Sequence, residues 1–315
     1  MDAEFVVAGA TSGPGAGILL NLASQGRAVV GIGRDARAIQ TLRSFLSKRG
    51  WPARLIRHDL SLDVSSLRID VAVARAPVLI NCTGAPTLAN CLSVMPALQR
   101  IIQIGSTRVF SVHADPSREM IATLERTAHG CGIPATVLHP TLIYGDLKED
   151  GVSRLARTIG RLPVLPLPDG GRALVQPVFI DDVIRAVFAC LNTPLTAGKS
   201  LVIAGGEALA YRNFVAQIGQ AAGSPTHIVG VPRALLALAG AIARAIPGLP
   251  NVNGAQVLRM TEDRSFDTAD SRELLGFKPV SFVQGLSLCG DRDHTLTRLA
   301  ALNLRVTPTW HPSGQ

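Results

Sequence analysis

The residues best placed to do chemistry come first in the chain. Gly9-Ala10-Thr11-Ser12-Gly13-Pro14-Gly15 spaces three glycines as G-x-x-x-G-x-G. The run Phe5-Val6-Val7 before it reads as a strand, and Ile18-Leu19-Leu20-Asn21-Leu22 after it opens an amphipathic helix. Strand, glycine turn and helix together direct unpaired backbone N–H groups at a phosphate. Gly9 permits the tight turn and Gly13 lets the main chain approach a pyrophosphate, with Thr11, Ser12, Pro14 and Gly15 completing the loop. Arg34 follows the second predicted strand, about 20 residues on, where an acid would bind the ribose 2′-OH of NAD. A guanidinium there forks onto a 2′-phosphate, which favours NADP over NAD as cofactor; the alternative is a solvated surface arginine. Asp59, after the third strand, either accepts from an adenine amino group or holds a turn. Cys82-Thr83-Gly84 ends the fourth strand, where a glycine suits close backbone approach to a cofactor or an ordinary turn.

These residues need a parallel sheet to bring them together, and the chain supplies its pattern. Short apolar runs at 5–8, 28–32, 53–56, 77–80, 100–104, 135–138 and 201–203 alternate with helical stretches, among them 35–48 and 119–129. Asp35 reads as the start of the first of these. The alternation predicts an α/β fold, a doubly wound parallel sheet with its ligand at the carboxyl ends of the strands. After Gly145 the texture changes. Residues 146–171 read as a loop-rich insertion, Asp181-Asp182 as the cap of an apolar helix over 183–191, and 211–222, 232–246, 254–261 and 268–275 as further helices. The expected organisation is a dinucleotide-binding domain from 1–145 plus about 172–205, interleaved with a smaller, mostly helical substrate-side domain from about 146–171 plus 206–315, ending in a loose tail.

Composition narrows the partners. A hydrophobic content of 47% against 17% charged residues specifies a globular chain, not a disordered one. The net charge of +8 attracts anions, yet the arginines are scattered and only 4% of residues are aromatic, so nucleic acid is not an expected partner. Five cysteines without a C-x-x-C pair read as reduced thiols. With the glycine loop starting at residue 9 and no signal segment before it, the expected location is cytoplasmic. Ala234–Ala243 is too short to span a bilayer, and the apolar helix expected over 232–246 either packs in the small domain or rests on a membrane surface. Metal signatures such as H-E-x-x-H, a G-x-S-x-G elbow and a Walker loop are absent from the sequence, so no metal is expected. The expected partners are a small-molecule substrate and, at most, a second copy of the chain as a homodimer.

With these residues in place, the chain resembles the short-chain dehydrogenase/reductase superfamily, above all its extended and atypical branch of NAD-dependent epimerases and dehydratases. The likeness runs from residue 4 to about 280. The glycine loop has the spacing of the superfamily's classical branch, and Asp59-Leu60 matches its adenine-contacting pair. Ile104-Gly105-Ser106-Thr107-Arg108-Val109-Phe110 resembles the fifth-strand end of the extended branch, which implies that Ser106 polarises the reacting oxygen. Pro140-Thr141-Leu142-Ile143-Tyr144-Gly145 resembles the segment after the sixth strand, with His139 where the family has arginine. Gln176–Val183 and Leu275-Gly276-Phe277-Lys278-Pro279 match later signatures.

One departure bears on catalysis. The family's Tyr-x-x-x-Lys belongs on the helix after the fifth strand, and aligning Glu125 with the family's glutamate puts Ser117 and Ile121 at those two places. Tyr144-Gly145-Asp146-Leu147-Lys148 spells the same spacing, but after the sixth strand, where it reads as coincidence. The candidates left for proton transfer are His113, whose ordinary pKa suits it and whose alternative is a surface-loop histidine, Tyr144, whose alternative is a packing or structural role near the cofactor, and Lys148 and Glu119. Ser106 is a candidate for the substrate oxygen, and a plain turn is its alternative. Two functions follow from the resemblance. One is an NADP(H)-using reductase or epimerase/dehydratase acting on a hydroxyl or carbonyl, with a nucleotide-linked sugar among the substrates. The other is a dinucleotide-binding structural or redox-sensing protein without turnover, like the superfamily member that is an accessory subunit of respiratory complex I.

Overall fold

The structure is a computed structural model, and it describes residues 2–11, 13–68, 70–112, 116–146, 150–162, 164–224, 226–235 and 260–306. Six strands, β1 (Phe5–Ala8), β2 (Val29–Gly33), β3 (Arg54–Arg57), β4 (Val78–Asn81), β5 (Arg100–Ile104) and β6 (Ala135–Pro140), are joined in one sheet by a seventh, Ser200–Ile203. The sheet order runs from Ser200–Ile203 through β6, β5, β4, β1 and β2 to β3. All six pairings are parallel, as in Val6 opposite both Val30 and Leu79. The order reverses between β1 and β4, and a doubly wound sheet binds its ligand outside such a switch point.

Helices cover both faces, so the strands are apolar on both sides. Phe5 and Val7 join the core that includes helix α1 (Pro14–Ser24) and the helix Ile180–Asn192. Val6 and Ala8 face the opposite core, with Leu79 and Leu88. Asp35 caps α2 (Ala36–Arg49), accepting from the backbone N–H groups of Arg37 and Ala38 at 3.0 and 3.1 Å.

Three expectations for the second half change. Within 146–171, Val164–Pro168 is a strand rather than loop, paired in parallel with His227–Val231. Each strand of a two-stranded ribbon has one free edge, and Pro166 and Pro168 share one parity, so the absent N–H groups are tolerated there. The segment 292–306, expected in the smaller domain, packs against α1. Asn21, fully buried in α1, donates to the carbonyls of Gly17 (2.8 Å) and Leu299 (2.6 Å), and the backbone N–H of Val306 donates to Gln25 Oε1 (3.0 Å). Asp181 and Asp182 lie in the first turn of Ile180–Asn192 but make no cap hydrogen bond. Asp181 instead pairs with Arg298, and Asp182 accepts from Val280 N–H (3.0 Å) and Arg185 (2.8 Å). Most of the expected helix over 232–246, and of that over 254–261, lies outside the described residues.

Two buried polar arrangements set the stability of this frame. Arg298 also donates to Gly145 O (2.9 Å) and lies 4.6 Å from the centroid of the Phe179 ring. Removing one partner of a buried pair leaves the other charge uncompensated, at a cost of about 3–5 kcal/mol, whereas an apolar replacement of both is close to neutral. Arg298→Leu is therefore expected to lower unfolding free energy by about that amount in urea titrations, and Asp181→Leu/Arg298→Leu by less. At the carboxyl end of β6, His139 is 1% exposed, with Nδ1 3.2 Å from Ser106 O. Its Nε2 is 3.4 Å from the Glu125 carboxylate, an ion-pair contact without hydrogen-bond geometry. Burial holds this imidazole below its ordinary pKa, offset only in part by Glu125. The unfolded chain then takes up the proton first, so stability is lost as pH falls below about 6.5. Thermal midpoints measured from pH 7.5 to 5 should fall more steeply for the wild type than for His139→Gln.

Candidate functional site

The glycine loop is shaped by close approach. Gly9 adopts φ +80°, and a Cβ there would lie 2.9 Å from Thr83 Cγ2 and 3.3 Å from Cys82 O. A Cβ on Gly15 would lie 2.4 Å from the carbonyl oxygen of Gly9, so α1 meets the end of β1 at a distance only glycine allows. Pro14 occupies the first turn of α1, where its missing N–H is no loss. Thr11 is buried against Gly33, in the space a side chain on β2 would fill. Gly13, at φ +60°, stands at the N-cap of α1. Its N–H donates to both carboxylate oxygens of Asp146, at 3.0 and 2.9 Å. A carboxylate held there shows that this donor faces a position fit for an oxyanion, as a dinucleotide pyrophosphate requires. Ser12 lies outside the described residues.

Arg34 and Asp59, expected at the adenosine end, lie beside one another. Arg34 extends from β2 with 79% of its side chain exposed, 3.9 Å from Asp59 Oδ2. Asp59 accepts from the hydroxyl (2.6 Å) and N–H (3.0 Å) of Ser61, the turn alternative. The Ser61 hydroxyl, then its N–H, hold the Asp59 carboxyl below the usual range, with Arg34 adding to them. Leu60 turns its side chain into the core beneath, and its carbonyl accepts from Asn90 (2.7 Å).

Cys82-Thr83-Gly84 runs from β4 past the glycine loop and is held from below by two buried amides. Asn81 Nδ2 donates to Gln103 Oε1 (2.8 Å), and Gln103 Nε2 donates to the carbonyls of Asn81 and Thr83, both at 3.1 Å. Neither amide can leave without orphaning buried carbonyls, which fixes the height of this floor. Burial pushes the Cys82 thiol up to about 12, so it stays protonated.

Beyond this floor opens a cavity of about 890 Å³. Ser106 lies on its wall as the N-cap of the 3₁₀ turn Thr107–Phe110, accepting from Arg108 N–H at 3.3 Å. Ser117 and Ile121, from the helix Pro116–Gly130, both line the cavity, and Arg108 Nη1 reaches Ser117 Oγ at 3.4 Å. Glu262 forms the far wall. It accepts from the Ser111 hydroxyl (2.9 Å) and the Val112 N–H (2.8 Å) and lies 3.7 Å from Arg264 Nε.

The structure therefore gathers Ser106, Cys82, Thr83 and Gly84 around one cavity, and Gly9 packs against Cys82 and Thr83. It does not bring Tyr144 there. That ring is fully buried, 5.3 Å from Phe179 and 5.0 Å from Phe282, and its hydroxyl donates to Phe282 O (3.3 Å). Burial raises the phenol above its ordinary value. Tyr144 is accordingly a packing residue and leaves the set of catalytic candidates. Glu119 is engaged on the solvent side by Arg126 at 2.8 Å. His113 and Lys148 lie outside the described residues. Arg108, Asp146, Glu262 and Arg264 were missed in the sequence. Arg108, two residues past Ser106, carried a local signal; the other three are brought in by tertiary folding alone.

No family model matches the chain. It is 26% identical over 157 residues to the uncharacterized protein YbjS of Escherichia coli K12, a match covering 46% of this chain and 45% of that one. The chain thus matches less than half the length of this curated relative. Among solved structures it is similar to the epimerase Mth375 of Methanothermobacter thermautotrophicus (TM-score 0.68, 14% identity, 94% of this chain and 93% of that one). It is similar also to the UDP-glucuronic acid 4-epimerase of Bacillus cereus, solved with UDP-glucuronic acid and NAD (TM-score 0.65, 18% identity, 93% and 99%). A third is the UDP-glucose 4-epimerase of Thermotoga maritima, solved with UDP-glucose (TM-score 0.66, 14% identity, 93% and 98%). What the chain shares with these epimerases at such identities is the fold, a Rossmann-type doubly wound sheet with a helical C-terminal region.

Proposed function

We propose that the protein is an NAD(P)-dependent enzyme of the epimerase/dehydratase or reductase kind, acting on a hydroxyl or carbonyl group of a small-molecule substrate. The observation that carries this reading is the continuity of the site: the glycine loop borders Cys82-Thr83-Gly84, which opens directly into the cavity holding Ser106 and Arg108. One similar epimerase was solved with UDP-glucuronic acid and NAD and another with UDP-glucose, which supports a nucleotide-linked sugar as one substrate class.

Gly9, Gly13 and Gly15 would take the pyrophosphate, and Arg34 would lie within reach of a ribose 2′-phosphate. The bound dinucleotide supplies or accepts a hydride. The chain's own residues orient and polarise. Ser106 has its Oγ held by Arg108 N–H, which leaves the hydroxyl proton to be donated to a substrate oxygen. The Arg108 guanidinium would steady negative charge developing on that oxygen. Ser117 and Ile121 stand where the resemblance places Tyr and Lys, and neither moves a proton near neutral pH. That substitution favours a second reading, a dinucleotide-binding protein without turnover.

Thermal unfolding with NADP⁺, NAD⁺ or neither separates these readings. Ligand at 100 times its dissociation constant adds about 2.7 kcal/mol, a rise of several degrees. NADP⁺ is expected to give the larger shift. Arg34→Ala should weaken NADP⁺ binding roughly 10- to 100-fold, the loss of a charge-assisted contact worth about 1.5–3 kcal/mol, and leave NAD⁺ binding unchanged. Turnover is then followed with a panel of carbonyl substrates by NADPH oxidation at 340 nm, and with sugar nucleotides by chromatography of the products, since epimerisation and dehydration leave the cofactor with no net change. Turnover that drops roughly 10²-fold or more in Ser106→Ala supports the enzyme. Tight binding with no turnover across the panel supports the binding protein.

A further inference from the structure

We propose that Asp146 is a built-in competitor for the dinucleotide pyrophosphate, a carboxylate that closes the glycine loop from within the chain and must be displaced for the cofactor to bind. This inference rests on the dinucleotide reading of that loop.

The contact joins residues 133 positions apart, and both Asp146 oxygens lie within 3.0 Å of the Gly13 nitrogen. Gly13 begins α1 without a side-chain cap of its own, so Asp146 fills in trans the role that an N-cap side chain fills locally. A phosphate oxygen seeking the same N–H would meet a carboxylate of like charge at hydrogen-bond distance. The two anions exclude one another.

The neighbouring backbone holds Asp146 in this position. Gly145 N–H donates to Asp150 Oδ2 at 2.7 Å, and Arg298 Nη2 donates to Gly145 O at 2.9 Å. Gly145 itself is at φ +86°, and a Cβ there would lie 2.4 Å from the Phe179 ring, so the backbone before Asp146 has one narrow path. Asp150 is also the N-cap of the helix Gly151–Ile159, accepting from Ser153 N–H at 2.7 Å. Displacing Asp146 therefore pulls on a loop tied to that helix and to Arg298. Occupancy of the glycine loop becomes coupled to elements of the second half of the chain.

The test is isothermal titration of NADP⁺, NAD⁺ and inorganic pyrophosphate into the wild type, Asp146→Asn and Asp146→Ser, with adenosine as the phosphate-free control. Asparagine keeps the shape and removes the charge; serine removes both and guards against an amide that still occupies the site. The expected result is tighter binding of all three phosphate ligands in both variants, by roughly tenfold or more, with adenosine unchanged. Hydrogen exchange read without ligand should show the peptide spanning Gly13 losing protection in both variants. Unchanged or weaker phosphate-ligand binding in both variants would overturn the role given to Asp146 while leaving the dinucleotide reading intact. Failure of every protein to bind either dinucleotide would overturn that reading and this proposal together.

Discussion

The structure depends on how closely α1 can lie against the sheet. The first ten residues of this helix, Pro14 to Ala23, are buried, an unusual demand on a helix that must also present its N-terminus to a ligand. Glycine meets that demand twice. At Gly15 the helix backbone touches the carbonyl of Gly9, and at Gly17 a Cβ would lie 2.3 Å from Ile184 and 3.3 Å from Leu299. The first contact sets the end of the helix against the end of β1, so its N–H groups point over the sheet edge. The second lets two further helices close over α1 from the other side. Adding one methyl group at either place would move the N–H groups at the start of the helix, because the interior is packed too tightly to absorb it.

Polar groups inside this frame are used to fix heights and angles rather than to add stability. Asn81 and Gln103 are both fully buried and spend their hydrogen bonds on the loop after β4. Asn21 spends its own on the C-terminal segment. Each network is costly if half satisfied and specific if complete. Arg100 is one exception. It is buried and bonded to Thr196 at 2.9 Å, yet its Nη1 meets no partner among the described residues. Desolvation holds this guanidinium below its ordinary pKa. Its place at the amino end of β5, far from the carboxyl edge, assigns it to the frame and not to the site.

The sequence made the sheet legible because each strand is short, apolar on both faces and separated from the next by a helical stretch or a turn. All seven predicted strands, from Phe5 to Ile203, are found in one sheet. The glycine loop was legible for the same reason: its spacing encodes a local geometry. Contacts between distant segments were not. Asp181 and Asp182 read as caps because carboxylates favour helix starts, and nothing nearby in the chain announces Arg298 or Val280 as their partners. The same holds for Asp146, which looked like part of a loop. The Y-x-x-x-K spacing at Tyr144 read as coincidence because it falls after the sixth strand, and the tyrosine belongs to a core of four aromatic rings with Phe179, Phe214 and Phe282.

The cavity wall in place of the Tyr-Lys pair constrains what chemistry remains. A tyrosine lowered in pKa by a neighbouring lysine both donates and accepts a proton, so it serves oxidation and reduction alike. Ser117 with Arg108 can donate hydrogen bonds and hold negative charge, while taking up a proton would fall to another group. Stabilising an oxyanion needs only the first of these abilities. Reducing a carbonyl leaves an alkoxide that solvent can protonate, whereas oxidising an alcohol needs a base to start. In the reading proposed above, the cavity, open to water near Val112 and Arg108, would steady the substrate oxygen by hydrogen-bond donors on its wall.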